Sequence, residues 1–226
     1  MGEVQRTWAP RAPPSSGPRC GVPAQDSAAS LTGAGGPGYS APMTALARTP
    51  SLILRPFTDA DFEAAAAMMG DPALTRFLHW GPRTPEQSRE AFAKRRAGGA
   101  AVPGADYLAL ALVDKASGAL AGEVSLMQMA NADGNGEIGY ILAAGFHGRG
   151  LGTEAARAMM ALGFEAFGLR RITATCDARN AASARIMEKL GMRREAHFVK
   201  NAWVKGEWTS ALVYAVLAEE WRASID

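Results

Sequence analysis

A glycine-rich segment between a predicted strand and a predicted helix constrains the fold of this 226-residue chain more than any other feature. The sequence GEIGYIL alternates as a strand, TEAARAMMALGFEAFG has helical spacing, and GFHGRGLG joins them at residues 145–152. Glycines that lead into a helix expose backbone N–H groups at the positive end of the helix dipole and let an anion approach closely. The segment is therefore typical of a phosphate-binding turn, with Arg149 as an added positive charge.

Two well-known phosphate-binding loops do not fit this segment. A Walker loop needs Gly, four residues and then Gly-Lys-Ser/Thr, and the chain contains no such string. The dinucleotide fingerprint needs G-x-G-x-x-G, whereas Gly148, Gly150 and Gly152 form G-x-G-x-G. A nucleotide-binding domain of another kind is disfavoured, and a glycine-rich connector without a ligand remains the simplest alternative.

The rest of the pattern predicts a mixed α/β sheet preceded by a tail. Residues 1–48 are rich in proline and lack periodic apolar residues, so they are predicted to be disordered; an equally simple explanation is that translation starts at Met43. Helices with predicted caps at Thr58 and Thr84 precede three strands that form an antiparallel meander. The order strand, helix, strand after residue 136 predicts a βαβ crossover with parallel pairing, and the last two strands form a hairpin.

Charge and cysteine content exclude several classes of protein. The net charge of +2 and the lack of a long Lys/Arg run argue against nucleic acid or a membrane surface as the partner. Cys20 and Cys176 are too few and too far apart for a disulfide framework or a metal cluster, which favours a reducing, cytoplasmic setting. No run approaches the roughly 18 apolar residues of a membrane span. His79 and His197 lack partners at ligand spacing, so no metal is predicted.

Three motifs resemble the GNAT superfamily of N-acetyltransferases, and in particular its RimJ/RimL-like branch. The segment HGRGLGTEA is similar to the acetyl-coenzyme A pyrophosphate loop, usually Gln/Arg-x-x-Gly-x-Gly/Ala, with His147 in the first position. The preceding GYIL and the later RNAASARIMEKLGM follow the order and spacing of the family. The resemblance implies an acetyltransferase domain over residues 49–222 with acetyl-CoA as co-substrate. It places the cofactor phosphates at His147, Gly148, Arg149, Gly150, Leu151, Gly152 and Thr153.

The resemblance also implies where the rest of the cofactor lies. In this superfamily the strand before the loop and the strand after the helix splay apart, and the pantetheine arm occupies the gap. Here these strands are 137–142 and 170–176. Backbone N–H groups freed by the splay can pair with the pantetheine amides and the thioester carbonyl, and can stabilise the oxyanion as an amine attacks. Ile141 and Leu142 are the residues predicted to make these backbone contacts.

Candidate catalytic residues lie on the helix after the second of these strands. Asn180, Ser183 and Met187 share one helix face at spacing i, i+3 and i+7. The resemblance implies that Asn180 hydrogen-bonds the pantetheine arm. Many members carry a tyrosine general acid at the position of Met187, and since methionine cannot donate a proton, Ser183 is the predicted substitute. Asn180 and Ser183 could instead simply cap the helix.

The sequence gives fewer signals for the acceptor site than for the cofactor site. Glu137 begins the strand that faces the substrate amine and is the predicted base, whereas Glu123 is better explained as a solvated carboxylate on the sheet. RimL-like enzymes carry another glutamate where this chain has Ala202, which weakens the case for a ribosomal-protein substrate. Trp80 and Trp203 are predicted to line the acceptor pocket.

The predicted function is acetyl-CoA-dependent transfer of an acetyl group to a primary amine, directly, in a ternary complex. The acceptor is a protein N-terminus or a small amine, and the protein is a monomer or a homodimer. The alternative is a catalytically degenerate module that binds acyl-CoA as a sensor or scaffold. The missing tyrosine favours this alternative, whereas the retained Asn180 and Ser183 favour the enzyme.

Overall fold

The computed structural model describes residues 45–99, 106–127 and 133–223. The strands are β1 (Ala47–Arg48), β2 (Leu52–Arg55), β3 (Tyr107–Asp114), β4 (Leu120–Met127), β5 (Asn135–Leu142), β6 (Arg171–Asp177), β7 (Arg193–Val204) and β8 (Glu207–Leu217). The helices are α1 (Phe62–Gly70), α2 (Pro72–Thr75), α3 (Pro85–Ala97), α4 (Leu151–Ala161), α5 (Ala181–Lys189) and α6 (Ala218–Ala223). Most of the predicted N-terminal tail, with Met43, lies outside the described residues, and β1 falls at its end.

The eight described strands form one sheet in the order β1-β2-β3-β4-β5-β6-β8-β7. Neighbouring strands are antiparallel except β5 and β6, which run parallel and are connected through α4. This confirms the predicted mixed α/β fold, with an antiparallel first half, a βαβ crossover and a C-terminal hairpin. The hairpin turns at Lys205 and Gly206, whose φ angles of 51° and 85° are those of a type I′ turn.

Strand β3 shows that helices cover the sheet on both faces. Its Leu108, Leu110 and Leu112 point to one face and its Ala109 and Ala111 to the other, and all five side chains are buried. The leucines pack in a core with residues of α4 and α5, whereas the alanines pack with residues of α1 and α3. Burial of each leucine stabilises the fold by about 1.5–3 kcal/mol. Helices therefore cover both faces of the sheet at β3.

Helix α3 begins as its sequence predicts. The Thr84 hydroxyl accepts the Gln87 N–H at 3.3 Å, the Gln87 side chain accepts the Thr84 N–H at 3.0 Å, and Pro85 occupies the first helical position. Before α1, Thr58 caps a short 3₁₀ turn over Asp59–Asp61 rather than the α-helix itself. The predicted cap is thus confirmed at Thr84 and displaced by one turn before α1.

Helix α4 is joined to the start of β2 at one end and continues into a π-helical turn at the other. At its start, the Glu154 carboxylate accepts the backbone N–H of Ser51 at 2.7 Å, which joins the helix to the segment before β2. At its end, a π-helical turn at Leu162–Ala166 completes the predicted helix over 151–167. Within the described ranges, no helix combines the length and the apolar character needed to cross a membrane.

Candidate active site

The parallel strands β5 and β6 pair only at their beginnings. Residues 135–137 lie beside 171–173, and beyond this point β5 stays bonded to β4 alone and β6 to β8 alone. Residues 138–142 and 174–177 therefore border an open gap between the two strands. The predicted splay is confirmed, and it leaves one edge of each strand available to a ligand.

The alternation of β5 determines which backbone groups face the gap. Ala143 donates its N–H to the carbonyl of Ala121, in β4, at 2.9 Å. Because successive residues of a strand point their backbone groups in opposite directions, Ile141 also bonds toward β4, whereas Leu142 and Tyr140 face the gap. The prediction of Ile141 as a backbone donor to the cofactor is therefore corrected, and Leu142 has the required direction.

The glycine-rich turn after β5 leads into a helix without a side-chain cap. Gly150 is the N-cap of α4, with φ of 78°, and no side chain caps this end of the helix. Gly148 has φ of 76°, and a Cβ added to either glycine would meet nothing within 4 Å. This left-handed conformation favours glycine. The open turn and the positive helix end form a surface that suits a phosphate group.

Gly152 has a different role from the two left-handed glycines. A Cβ at this position would lie 2.9 Å from Ile186 Cδ1 in α5, so the missing side chain lets α4 pack against α5. Leu151 is buried in the core, and the N–H of Thr153 already donates to the Gly150 carbonyl at 3.1 Å. The missing side chain of Gly152 thus serves packing. That Leu151 and Gly152 bind a cofactor phosphate stays a prediction, with their backbone as the contacting groups.

The side chains of Arg149 and His147 have partners in the protein. Arg149 Nη2 donates to Asp114 Oδ1 at 2.8 Å, and its guanidinium lies 5.4 Å from the centre of the Phe146 ring. The Arg149 side chain is 44% exposed, so it can also turn toward a ligand at the helix end. His147 Nε2 lies 2.9 Å from the carbonyl oxygen of Leu142 and thereby closes the turn on β5.

Tyr140 reaches from β5 to α5, a contact that the sequence pattern alone does not predict. Its hydroxyl lies 3.0 Å from Ser183 Oγ and donates to the Ser183 carbonyl at 3.2 Å. Burial raises the pKa of Tyr140 to about 12, so the phenol keeps its proton at neutral pH. In the sequence, strand alternation places Tyr140 on the same face as Ile138, which is buried in the structure. This alternation was the signal that Tyr140 points toward the helices.

Three residues near Ser183 differ in what they can offer to a ligand or a reaction. Asn180 Oδ1 accepts the Ser183 N–H at 3.1 Å, so this oxygen caps α5 and only the amide NH₂ is left for a ligand. Met187 is buried in the core. Burial and the neighbouring Asp177 raise the pKa of the Cys176 thiol to about 11, which makes it a weak nucleophile at neutral pH.

A cleft of about 370 Å³ opens beside the same gap. Glu137 and Thr175 line it from β5 and β6, residues 76–79 after α2 form one wall, and the β7–β8 hairpin forms another. Side chains alternate along β5, so Glu137 points to the face opposite Tyr140. The volume lies within the roughly 300–1,000 Å³ of small-molecule sites. The gap thus has a turn suited to a phosphate group on one face and a small cleft on the other.

Most charges at this cleft have partners. Arg179 donates to Asp177 Oδ2 at 2.7 Å and to Glu207 Oε1 at 3.0 Å. Glu137 forms no ion pair with any residue that the structure describes. Glu137 is therefore the carboxylate that is free to interact with an amine in the cleft.

A second cavity, of about 840 Å³, is larger but lies away from the gap. It is bordered by α3 and the start of β3, and Trp80 lines it beside Arg83, whose guanidinium lies 4.3 Å from the indole. Trp203 is 62% exposed and packs edge-to-face on Trp208 in the hairpin. Neither Trp80 nor Trp203 is among the described residues that line the cleft around Glu137. The smaller cleft is the better candidate because it adjoins the gap.

Glu123 has a structural partner. Its carboxylate accepts two hydrogen bonds from the Arg95 guanidinium, one of them at 2.8 Å from Nη2 to Oε1, and its side chain is only 12% exposed. The expectation of a solvated carboxylate is therefore wrong: Glu123 forms a nearly buried ion pair.

Among the residues that the structure describes, no group of three or more His, Cys, Asp or Glu side chains could hold a metal ion.

Comparison with known proteins identifies the family. The family model for the acetyltransferase (GNAT) domain matches residues 51–193, and the chain belongs to the GNAT family of N-acetyltransferases. The uncharacterized N-acetyltransferase YnaD of Bacillus subtilis is 31% identical over 173 residues, which are 76% of this chain and 97% of YnaD. The crystal structure of a GNAT-family acetyltransferase from Bacillus anthracis is 29% identical with a TM-score of 0.68, and covers 76% of this chain and 98% of its own.

A more distant structure bears on the predicted branch. RimL, a ribosomal L7/L12 α-N-protein acetyltransferase solved in complex with coenzyme A, is 18% identical with a TM-score of 0.66 over 77% of this chain and 98% of its own. At this identity the likeness shows a shared fold. The RimJ/RimL-like branch therefore stays a prediction.

Proposed function

We propose that this protein transfers an acetyl group from acetyl-CoA directly to a primary amine, with the cofactor at the α4 turn and the amine in the cleft. The observation that carries the proposal is the gap between β5 and β6. A turn suited to phosphate lies at the end of β5, and an unpaired carboxylate, Glu137, lies on the opposite face. A single reaction centre between the two faces would explain both features.

The residues of the donor face fit acetyl-CoA. Gly148 and Gly150 would hold the pyrophosphate at the uncapped end of α4, where no Cβ blocks the approach. The gap-facing backbone of Tyr140 and Leu142, together with the Asn180 amide, would hold the pantetheine arm. When bound, acetyl-CoA supplies an acetyl group that the thioester linkage activates for transfer.

The side chains on the two faces would divide the proton transfers. Glu137 accepts the proton that the amine loses as its nitrogen bonds to the acyl carbon and the carbon–sulfur bond breaks. The gap-facing N–H of Leu142 donates to the acyl oxygen. The Tyr140 hydroxyl, through Ser183 Oγ at 3.0 Å, delivers a proton to the departing sulfur. Burial raises the pKa of the Cys176 thiol, which makes it a poor acyl carrier and supports direct transfer.

The cleft favours a small amine over a protein N-terminus. Its volume of about 370 Å³ lies between the segment 76–79 and the hairpin and suits a small acceptor. Ala202 lines this cleft, at the position where the RimL-like resemblance has a glutamate. We therefore propose a small primary amine as the acceptor and do not extend the RimL substrate to this chain.

Release of free thiol from acetyl-CoA, measured with a panel of small amines and short peptides, tests the proposal. Mass spectrometry of the products identifies the acceptor. We expect thiol release that depends on a small amine, with an equal amount of N-acetylated product. Tight binding of CoA in calorimetry without turnover on any amine would instead support the acyl-CoA sensor.

A further inference from the structure

The charges around the cleft indicate the kind of amine that it accepts, an inference that rests on the function proposed above. We infer that the acceptor carries its own carboxylate and has the size of a single amino acid. The inference depends on which charged groups at the cleft already have partners and which do not.

Four charged residues at the hairpin side balance one another. The two carboxylates are those of Asp177 and Glu207, and Arg179 bonds to both. The ammonium of Lys205 is the second cation, and its charge helps Arg179 to hold the pKa of Asp177 below the usual value. Two anions and two cations leave this side of the cleft without net charge.

Two charged residues of the lining are left over. Glu137 and Arg76 form no ion pair with any described residue, although the Arg76 guanidinium lies 5.0 Å from the centre of the Phe77 ring. Lys205 Nζ donates to the carbonyl oxygens of Thr75 and Arg76, both at 2.8 Å, and so fixes the backbone of Arg76 beside the hairpin. Two carbonyl oxygens hold the Lys205 ammonium, whereas neither the Arg76 guanidinium nor the Glu137 carboxylate has a polar partner among the described residues. The cleft therefore offers one free anion and one free cation.

An amino acid complements this pair of charges. Its amine is placed at Glu137, and its carboxylate is a good partner for the Arg76 guanidinium, which can donate two parallel hydrogen bonds. Leu78 and Val204 also line the cleft and provide apolar contacts for a side chain. The arrangement therefore fits a free amino acid with an apolar side chain.

Other amines satisfy the cleft less well. A polyamine carries several positive charges, and the described lining holds one carboxylate without a cationic partner, Glu137. A peptide N-terminus has an amide where an amino acid has its carboxylate, so Arg76 would lose its anionic partner. The charge pattern thus distinguishes between three acceptors that all present a primary amine.

Three matched acceptors test the inference on the wild-type protein. Leucine, leucinamide and putrescine each present a primary amine, and only leucine carries a carboxylate. We expect kcat/KM for leucine to exceed that for leucinamide by at least about 10-fold, the scale of a charge-assisted hydrogen bond. The amide has the more easily deprotonated amine, so intrinsic reactivity works against the expected result.

The variant Arg76→Gln tests the residue that we assign to the carboxylate. The ratio of kcat/KM for leucine to that for leucinamide should fall toward one, and Arg76→Lys should restore part of it. Calorimetry of leucine binding to the CoA-bound protein should show a loss of at least about 10-fold in affinity in Arg76→Gln. Arg89→Gln, at an exposed arginine of α3 outside the cleft lining, is the matched control and should bind leucine as the wild type does.

The outcomes separate this inference from the proposed function. Equal kcat/KM for leucine and leucinamide, or a preference for putrescine, would overturn the inference and leave acetyl transfer to amines in place. Unchanged leucine binding in Arg76→Gln would overturn the assignment of Arg76. Absence of thiol release with every amine would overturn the proposed function itself, and the inference with it.

Discussion

The two faces of the gap between β5 and β6 are built from different parts of the protein. The donor face consists mainly of backbone groups from one continuous segment, 140–153, at the end of a strand and the start of a helix. The acceptor cleft consists of side chains from four separate segments: residues 76–79, β5, β6 and the β7–β8 hairpin. Backbone groups are common to all residues and side chains are not. The acceptor cleft can therefore change by substitution while the fold and the donor face remain.

A change in the donor turn should have the largest effect and should leave the acceptor cleft intact. In Gly150→Val the side chain must adopt φ near 78°, and its methyl groups enter space that is open in this structure. We expect CoA affinity to fall at least about 100-fold, with a loss of stability of about 1–2 kcal/mol from the left-handed backbone. Calorimetry with CoA and urea unfolding measure the two effects.

Gly168→Val is the matched control for this variant. Gly168 has φ of 65° and open surroundings, and it lies in the connection after α4 rather than in the turn before it. It should lose similar stability and keep its CoA affinity. An equal loss of CoA affinity in both variants would mean that backbone strain, and not the phosphate turn, explains the effect.

A change in the cleft should affect turnover and spare the donor face. Glu137→Gln removes the unpaired carboxylate while keeping its size, and a general base contributes about 10²–10⁴-fold to a rate. We expect kcat to fall roughly 100-fold with unchanged CoA affinity, measured by thiol release and calorimetry. Glu165→Gln, an exposed glutamate after α4, should behave as the wild type. Full activity of Glu137→Gln would remove Glu137 from the mechanism.

Tyr140 lies on the donor face with Ser183, so its loss tests whether this face also supplies the proton for the departing sulfur. In Tyr140→Phe the ring still fills its place in the core, but the hydroxyl that contacts Ser183 is gone. We expect kcat to fall about 10-fold because the departing sulfur lacks its proton donor, and stability to change by only about 1 kcal/mol. A variant with unchanged kcat over the whole pH range would reduce Tyr140 to a packing residue.

Alkaline pH should slightly lower the free energy of unfolding through two titratable groups at the gap. Burial raises the pKa of Cys176 from 9.0 to about 11 and that of Tyr140 from 10.0 to about 12. Between pH 9 and 12 the unfolded chain loses these protons before the folded protein does, so the free energy of unfolding falls as the pH rises. Because Tyr140 is half-buried and Cys176 borders the open gap, water reduces both effects, and we expect a total decrease of about 1–2 kcal/mol in urea unfolding. Tyr140→Phe should flatten the part of the decrease above pH 10, and an unchanged curve would contradict the burial of the phenol.

The sequence predicts the donor face better than the acceptor cleft for a physical reason. The turn at Gly148 and Gly150 is set by local backbone conformation, and the βαβ crossover by the order of neighbouring elements. The contact between Tyr140 and Ser183 joins residues 43 positions apart, and its two partners lie on different elements. Local periodicity shows which face of a strand Tyr140 occupies, but not what lies opposite.

Contacts over long sequence separations also explain what the sequence does not predict. Glu123 is predicted to be solvated because its local sequence gives no sign of its partner, Arg95, which lies 28 positions away on α3. The packing of Gly152 against Ile186 is not foreseen because Ile186 lies on another helix, α5. Trp80 and Trp203 are predicted to line the acceptor pocket by residue type alone, and neither is among the described residues that line the cleft around Glu137. In each case the missing information was the packing of one element on another.

Hydrogen–deuterium exchange of the wild-type protein with CoA alone, and then with CoA and an acceptor amine, tests the central claim most directly. If the two faces bind separate partners, CoA alone should slow exchange at the backbone amides of 140–142 and 148–153 and leave 76–79 and 201–211 unchanged. The amine should then slow exchange in these latter segments. Protection by CoA of the segments 76–79 and 201–211 instead of the turn at 148–153 would contradict the assignment of the two faces.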